Sequence, residues 1–320
     1  MKKIFLILFS LLIVFSACAK KSQTIIGIAK IVSHPALDAV ERGIQDELKE
    51  KKIDVIFDLQ NANGDMNTAI SIAKKFKEEK VKIAVGIATP TAQALVKELN
   101  NTIVVFSAVT DPVKAGLVSS LEKGEKWVTG ISDMTPVKEQ IELLMKIKPI
   151  KKLGFIYSSH EDNAVALARI TEKICSELGI EIVEATVSST AEVKQAAMSI
   201  AKRVDAFYVT TDNTVVAALP SLVEVALKNS LFVFSADPSS AKDNNILGAL
   251  GFDYYKMGRA TGRLIIELLS GKKPEEIPTR FLTDRRDLEF FLNLEVAKKL
   301  KINISKELIK SADVVISGEK

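Results

Sequence analysis

Ser159, His160 and Asp162 place a hydroxyl, an imidazole and a carboxylate within four residues, the three groups of nucleophilic hydrolysis. Adjacency along a chain is not the spatial relay that this chemistry needs, and no Gly-x-Ser-x-Gly elbow accompanies them. The two histidines, His34 and His160, have no cysteine partner and no close mutual spacing, so a zinc site lacks ligands. Gly27, Gly124 and Gly130 fit neither a phosphate-loop nor a dinucleotide fingerprint. No catalytic residue, metal or cofactor is assigned. The remaining chemistry is reversible binding by small hydroxyl, amide and acidic side chains, gathered at 33–35, 88–91, 107–112, 158–163, 210–214 and 235–240.

Each of these groups follows a short β-branched apolar run, and the runs alternate with stretches of helical period, the pattern of an α/β fold with parallel sheets. Strands are expected at 24–31, 53–58, 82–87 and 103–106, with helices at 37–50, 66–79 and 91–99 between them. A second series places strands at 153–157, 181–186, 206–209 and 231–234, with helices at 163–178, 191–203 and 215–229. Each series makes one doubly wound, Rossmann-like lobe. The fourth strands echo one another: Val105-Phe106-Ser107-Ala108 and Val233-Phe234-Ser235-Ala236 are each soon followed by Asp-Pro. In open α/β sheets ligands bind beyond the carboxyl ends of the strands, where the polar groups fall. Hydroxyl and acidic residues there also cap the following helices, and the two roles are compatible.

The chain opens with Lys2 and Lys3, an apolar run from Ile4 to Phe15, and Ser16-Ala17-Cys18. That is a secretory leader rather than a span, which needs about 20 apolar residues. Cys175 is the only other cysteine, so no disulfide is expected in the mature chain and a packed core must carry its stability. The chain's length of 320 residues favours two domains. The net charge of +4 falls to +2 when Lys2 and Lys3 leave with the leader. The other lysines are interleaved with acids, as at 47–51 and 75–79, so nucleic acid is not expected as a partner.

The leader's Phe15-Ser16-Ala17-Cys18 resembles bacterial lipoprotein signals, with Phe15 in place of the usual Leu. The resemblance implies cleavage before Cys18 and acylation there, and several acyl chains on one residue suffice for stable anchoring. Ser33-His34-Pro35-Ala36-Leu37-Asp38, Thr89-Pro90-Thr91-Ala92-Gln93, Phe106 to Pro112, Gly130-Ile131-Ser132-Asp133-Met134 and Thr211-Asp212-Asn213 together resemble the substrate-binding lipoproteins of ABC importers. The branch resembled is linked to uptake of aromatic amino acids, tryptophan above all. It implies a type I periplasmic-binding-protein fold, two lobes joined by a three-segment hinge near 132–137, 251–255 and 281–288. The expected organisation is a signal peptide at 1–17, a lipidated tether at 18–23, a first lobe at 24–132 plus 254–320, and a second at 133–253. The tail from Leu294 onward is expected to pack on the first lobe.

Function then follows as hinge closure about a small ligand, which is delivered to a permease and its ATPase, at the cell envelope, with the protein lipid-anchored to a membrane and facing the periplasm or exterior. A monomer is expected. The candidate ligand residues are Ser33, His34, Thr89, Thr91, Ser107 and Thr110 from the first lobe, with Ser158, Glu161, Asn163, Thr211, Asp212, Asn213 and Asp237 from the second. For an amino acid, hydroxyls and amides at helix starts would take the carboxylate and Asp212 or Asp237 the ammonium, unless either aspartate is only a helix cap. A sensory lipoprotein, or a receptor for a nucleoside or sugar, shares the pattern. An enzyme on such a scaffold, or a repressor relative, is disfavoured.

Overall fold

The computed structural model of the chain describes residues 23–317 apart from Thr283; the leader, Cys18 and most of the tether lie outside the described residues. Thirteen strands are described: β1 (Thr24–Lys30), β2 (Val55–Asn61), β3 (Ile83–Ile87), β4 (Ile103–Val109), β5 (Val128–Ser132), β6 (Lys152–Ser158), β7 (Glu181–Val187), β8 (Ala206–Val209), β9 (Phe232–Ser235), β10 (Gly248–Phe252), β11 (Arg280–Phe281), β12 (Leu288–Asn293) and β13 (Val314–Ile316). They form two sheets, ordered β11-β5-β4-β3-β1-β2 and β13-β12-β10-β9-β8-β6-β7. The first is wholly parallel, and in the second only the β10–β12 pair is antiparallel. Strands such as β3 are buried along their whole length, as a parallel sheet covered by helices on both faces requires.

Within each sheet the first five strands run in the spatial order 2-1-3-4-5, so each lobe is doubly wound and has its switch point beside its first strand. The fold is that of the type I periplasmic binding proteins. The chain crosses between the sheets after β5, between β10 and the helix Tyr254–Leu269, and between β11 and β12. Helix Tyr254–Leu269 returns to the first lobe and lies against helix Pro35–Glu50. Contact there is backbone to backbone: a side chain on Gly43 would stand 2.4 Å from the Tyr255 carbonyl oxygen. Glu47, buried in the same seam, is paired with Arg259 at 2.5 Å and Arg263 at 3.4 Å.

The C-terminal tail does not pack on the first lobe. After the third crossover β12 pairs with β10 and β13 with β12, while Val296, Ala297 and Leu308 enter the core that holds Leu153 and Phe155. Phe290, Phe291 and Leu292 are successive and all buried, so β12 needs apolar cover on both faces, which the two clusters flanking the second sheet supply while the edge of β10 supplies the backbone partners. Residues 288–316 therefore belong to the second lobe. The helix expected over 215–229 is two, Asn213–Ala217 and Leu219–Lys228, because Pro220 has no amide hydrogen and its ring clashes with the carbonyl four residues earlier. Helix Val137–Ile147 and strands β5 and β10 to β13 are additional to the elements expected.

Candidate ligand-binding site

The carboxyl ends of the two sheets face each other, and their loops border a pocket between the lobes. His34, Ala36, Leu37, Ala108, Thr110, Asp133 and Tyr254 line it from the first lobe and the crossovers; Asn163, Thr211, Asp212, Asn213, Val216 and Asp237 line it from the second. It is bordered by the ends of β1, β4 and β5 on one side and of β6, β8 and β9 on the other. The lobes touch around it. Gln93 Nε2 donates to Asp162 Oδ2 at 2.7 Å, and the Thr110 and Thr211 hydroxyls are 3.5 Å apart.

Asp237 sits at the start of the short helix Pro238–Ala241. Its Oδ1 accepts from the Ser239 amide at 2.9 Å, whereas Oδ2 has no partner although the residue is only 1% exposed. Such a buried acceptor is costly until something donates to it. Across the pocket His34, 8% exposed, precedes helix Pro35–Glu50, and neither ring nitrogen has a partner. Burial pulls its imidazole below the ordinary value, against the attraction of Asp237, and favours the neutral ring. Ala36 and Leu37, whose amides lie in the first turn of that helix and have no acceptor within it, border the same space. Asn163 offers an unpartnered Oδ1 while its Nδ2 donates to the Thr211 carbonyl at 3.0 Å.

The other second-lobe acids serve the fold. Asp212 accepts from the Val215 amide at 3.0 Å and the Ser158 amide at 2.6 Å, closing the turn between β8 and helix Asn213–Ala217. Burial, with Glu161 nearby, pushes its carboxyl up to about 8. Glu161 accepts from the amide and Nδ2 of Asn213 at 3.3 and 2.5 Å, and from the amide and hydroxyl of Thr214 at 2.9 and 2.7 Å. Both are therefore caps. Glu161, Ser158 and Asn213 also border a second, more open chamber between the lobes, with Ile31, Met66 and Pro90 opposite.

Several first-lobe candidates are engaged within their own lobe instead. The Ser33 hydroxyl is spent on Asp38, at 2.7 Å, on an exposed turn. Thr91 donates to the Ile87 carbonyl at 2.5 Å, and Thr89 beside it is buried without lining either chamber. Ser107 bonds Thr261 at 2.7 Å, tying β4 to helix Tyr254–Leu269. Ala88 and Ala108, at φ 78° and 55°, hold the left-handed backbone that residues with a Cβ rarely adopt, and both stand at the ends of first-lobe strands bordering the cleft.

Asp133 and Tyr254 line the pocket but were absent from the expected set. Asp133, 3% exposed, accepts from the Thr110 hydroxyl at 3.2 Å and the Tyr254 hydroxyl at 3.0 Å, and burial pushes its carboxyl up to about 6. Their signal was available: both stand beside interlobe crossovers, one directly after a strand and one opening a helix. Phe106, Tyr157, Tyr208, Phe234 and Phe252 stand at or near strand ends, but none of them lines the pocket. Among the described residues no group of three or more His, Cys, Asp or Glu side chains is placed to hold a metal ion, and no helix is long and apolar enough to cross a membrane.

Two parallel-sheet lobes with a polar pocket between their facing strand ends define a ligand-binding receptor. Residues 25–316 match the family described as ABC transporter substrate binding protein, and the chain belongs to that family. It is 35% identical over 285 residues to a tyrosine-binding protein of Clostridioides difficile (strain R20291), spanning 88% of this chain and 81% of the relative. It is also similar to an ABC domain from Streptococcus pneumonia in complex with L-Trp, at 31% identity and a TM-score of 0.88, covering 92% of this chain and all of that one. A substrate-binding protein with adhesive properties from Clostridium difficile, in its ligand-free, open structure, is 30% identical over the same shares of the two chains, yet superimposes with a TM-score of only 0.68. At nearly the same identity, the fold superimposes better on the L-Trp complex than on the ligand-free, open structure.

Proposed function

We propose that the protein captures an aromatic α-amino acid between its lobes and presents it, in the closed form, to the permease of an ABC importer. The observation that carries this reading is the partnerless Asp237 Oδ2 buried in the interlobe pocket, an acceptor that suits an ammonium through a charge-assisted bond. The open amides of Ala36 and Leu37 suit the carboxylate at the positive end of their helix. His34 offers a neutral ring nitrogen to a further polar group, and Leu37, Ala108, Val216 and Tyr254 give the apolar contact. The bound amino acids named for the tyrosine-binding relative and the L-Trp complex support the ligand class. Of the residues expected at the ligand, this reading retains His34, Thr110, Asn163, Thr211, Asn213 and Asp237; it gives Asp212 and Glu161 to capping, Thr89, Thr91 and Ser107 to packing and the exposed Ser33 to its bond with Asp38, and leaves Ser158 at the second chamber.

In the same reading Cys18 carries the lipid, and the mature chain works outside the cytoplasm, tethered to a membrane by that residue alone. The deciding experiment is calorimetric titration of the chain from Ser22 onward, without lipid, with L-tyrosine, L-tryptophan and L-phenylalanine. One-to-one binding at micromolar affinity or tighter, about −8 kcal/mol or better, is the expected outcome. Folded, ligand-free protein that ignores all three and binds a nucleoside or sugar would overturn the ligand class. Replacing Cys18 with Ser should release the protein from the membrane fraction of producing cells.

A further inference from the structure

We propose that the rim of the first lobe at which its strands begin is a membrane-contact face, resting on an anionic phospholipid surface beside the anchor. The inference rests on the lipidation of Cys18 proposed above and adds the face that meets the lipid. β1 begins at Thr24, and the residues from Cys18 to Gln23 reach at most about 20 Å when fully extended, so that rim is held within this length of the lipid. In a parallel sheet the segments leading into the strands share one rim. Lys51 and Lys52 precede β2, Lys80 and Lys82 precede β3, and Lys123 and Lys126 precede β5; all six are exposed. Among the described residues none of the six has a carboxylate within ion-pairing distance.

The acids of these three segments are Asp54, Glu122 and Glu125. Two of them turn onto their own loop, Glu125 accepting from the Ser119 amide at 2.9 Å and Glu122 from the Ser120 hydroxyl. The segment before β11 is balanced, Lys272 and Lys273 against Glu275 and Glu276, and 99–102 before β4 is uncharged. A groove on the rim is bordered by Lys77, Lys80, Asn100 and Asn101 with no acid in its lining, and its ammonium and amide donors suit a lipid phosphate. Trp127, the only tryptophan of the chain, is half-buried on this rim with the Lys126 ammonium 5.6 Å from its ring centre, and Leu121 of the same loop is 36% exposed. An indole among lysines is the composition that settles in a headgroup layer. The matching rim of the second lobe carries Lys148, Lys151, Lys202 and Arg203, so charge alone fits either pole; the tether and the indole select the first. Because the sheets face each other by their carboxyl ends, a first lobe resting on this rim holds the cleft away from the lipid.

Vesicle binding by the lipid-free chain from Ser22 onward tests the face, since that chain lacks both the anchor and the tether lysines and leaves the rim to act alone. The vesicles are phosphatidylglycerol mixed equally with phosphatidylcholine, or phosphatidylcholine alone, and binding is read by sedimentation and by Trp127 emission. The wild type should bind the anionic vesicles with a blue-shifted emission, ignore the neutral ones, and weaken by at least about tenfold between about 0.05 M and about 0.5 M salt. Changing Lys51, Lys52, Lys80 and Lys82 together to Glu should cost at least about tenfold, and changing the same four to Gln a smaller loss in the same direction, with melting curves confirming that both variants fold. Changing Lys148, Lys151, Lys202 and Arg203 together to Glu should leave binding within about twofold of wild type. Equal binding to both kinds of vesicle, binding to neither, or a larger loss from the second rim than from the first would overturn the face. A mature protein whose mass shows no acyl chain on Cys18 would instead remove the anchor reading, and the vesicle result would still decide whether the rim binds lipid.

Discussion

Gly258→Ala should destabilise the protein by about 2 kcal/mol and weaken ligand binding, although the residue does not line the pocket. A methyl group on Gly258 would stand 2.2 Å from the Val40 carbonyl oxygen, 2.9 Å from its carbon and 3.0 Å from the Gly43 Cα. All three are backbone atoms of helix Pro35–Glu50, so no side chain can rotate away. The helices must part by about 1 Å before ordinary van der Waals contact is restored. Overpacking of this kind costs about 1–3 kcal/mol, and a rigid obstacle places it at the upper end. Alanine's better helix propensity returns about 1 kcal/mol. At about 2 °C per kcal/mol for a chain of this size, calorimetric melting should fall by about 4 °C. The same movement carries Tyr254, one turn earlier, away from Asp133, whose 3.0 Å hydrogen bond does not survive an ångström of separation. Melting at or above the wild-type temperature, with unchanged affinity, would refute the claim that this seam is set by backbone contact.

Asp237→Asn should lower amino-acid affinity by about 10- to 150-fold, the value of one charged hydrogen bond, with little change in melting because the amide oxygen still caps Ser239; Asp237→Ala should lose both, and titration beside melting curves separates them. Ser33→Ala, Thr91→Ala and Ser107→Ala should each leave affinity within about twofold, since their hydroxyls are engaged within the first lobe, while Ser107→Ala loses about 1 kcal/mol of stability with its bond to Thr261; a tenfold affinity loss in any of them would contradict the assignment. Asp133, pushed from 3.8 to about 6, binds its proton more tightly folded than unfolded, so its contribution to stability is greatest below about pH 4 and falls by about 3 kcal/mol as pH rises through 6. The groups facing it are Asp237, His34, Tyr254 and Thr110, and urea unfolding between pH 4 and 7 should show that decline in wild type but not in Asp133→Asn; parallel profiles would refute it. Buried Cys175, its thiol pushed up to about 11, should resist thiol reagents until the protein unfolds.

The period of the apolar residues was enough to place the first four strands of each lobe and most of the helices between them, because a buried parallel strand must be apolar on both faces and a covering helix on one. The residues after those strands were legible as a binding region for a related reason: the sheet order puts every strand's carboxyl end at one rim. Which of them meet a ligand was not legible. Asp212 and Asp237 are both acids at a helix start, and only the folded chain shows that backbone amides use both oxygens of one and a single oxygen of the other.

Ser33, His34, Ser107 and Thr110 looked alike as polar residues beyond strands. Neighbours distant in sequence separated them, since Thr261 is 154 residues from Ser107 and Asp237 faces His34 from the other lobe. The short strands β11 and β13 have too little periodicity to announce themselves, and β12 has an unbroken apolar run that names no sheet. Its place in the second lobe was decided by an open edge on β10. Local pattern, set by each residue's own side chain and its near neighbours, determined the α/β class, the two lobes and the rim where polar groups gather. Tertiary contact alone decided which lobe holds the tail, which acids keep a free oxygen and that Asp133 and Tyr254 belong to the pocket, because those outcomes depend on desolvation by residues far away in the chain.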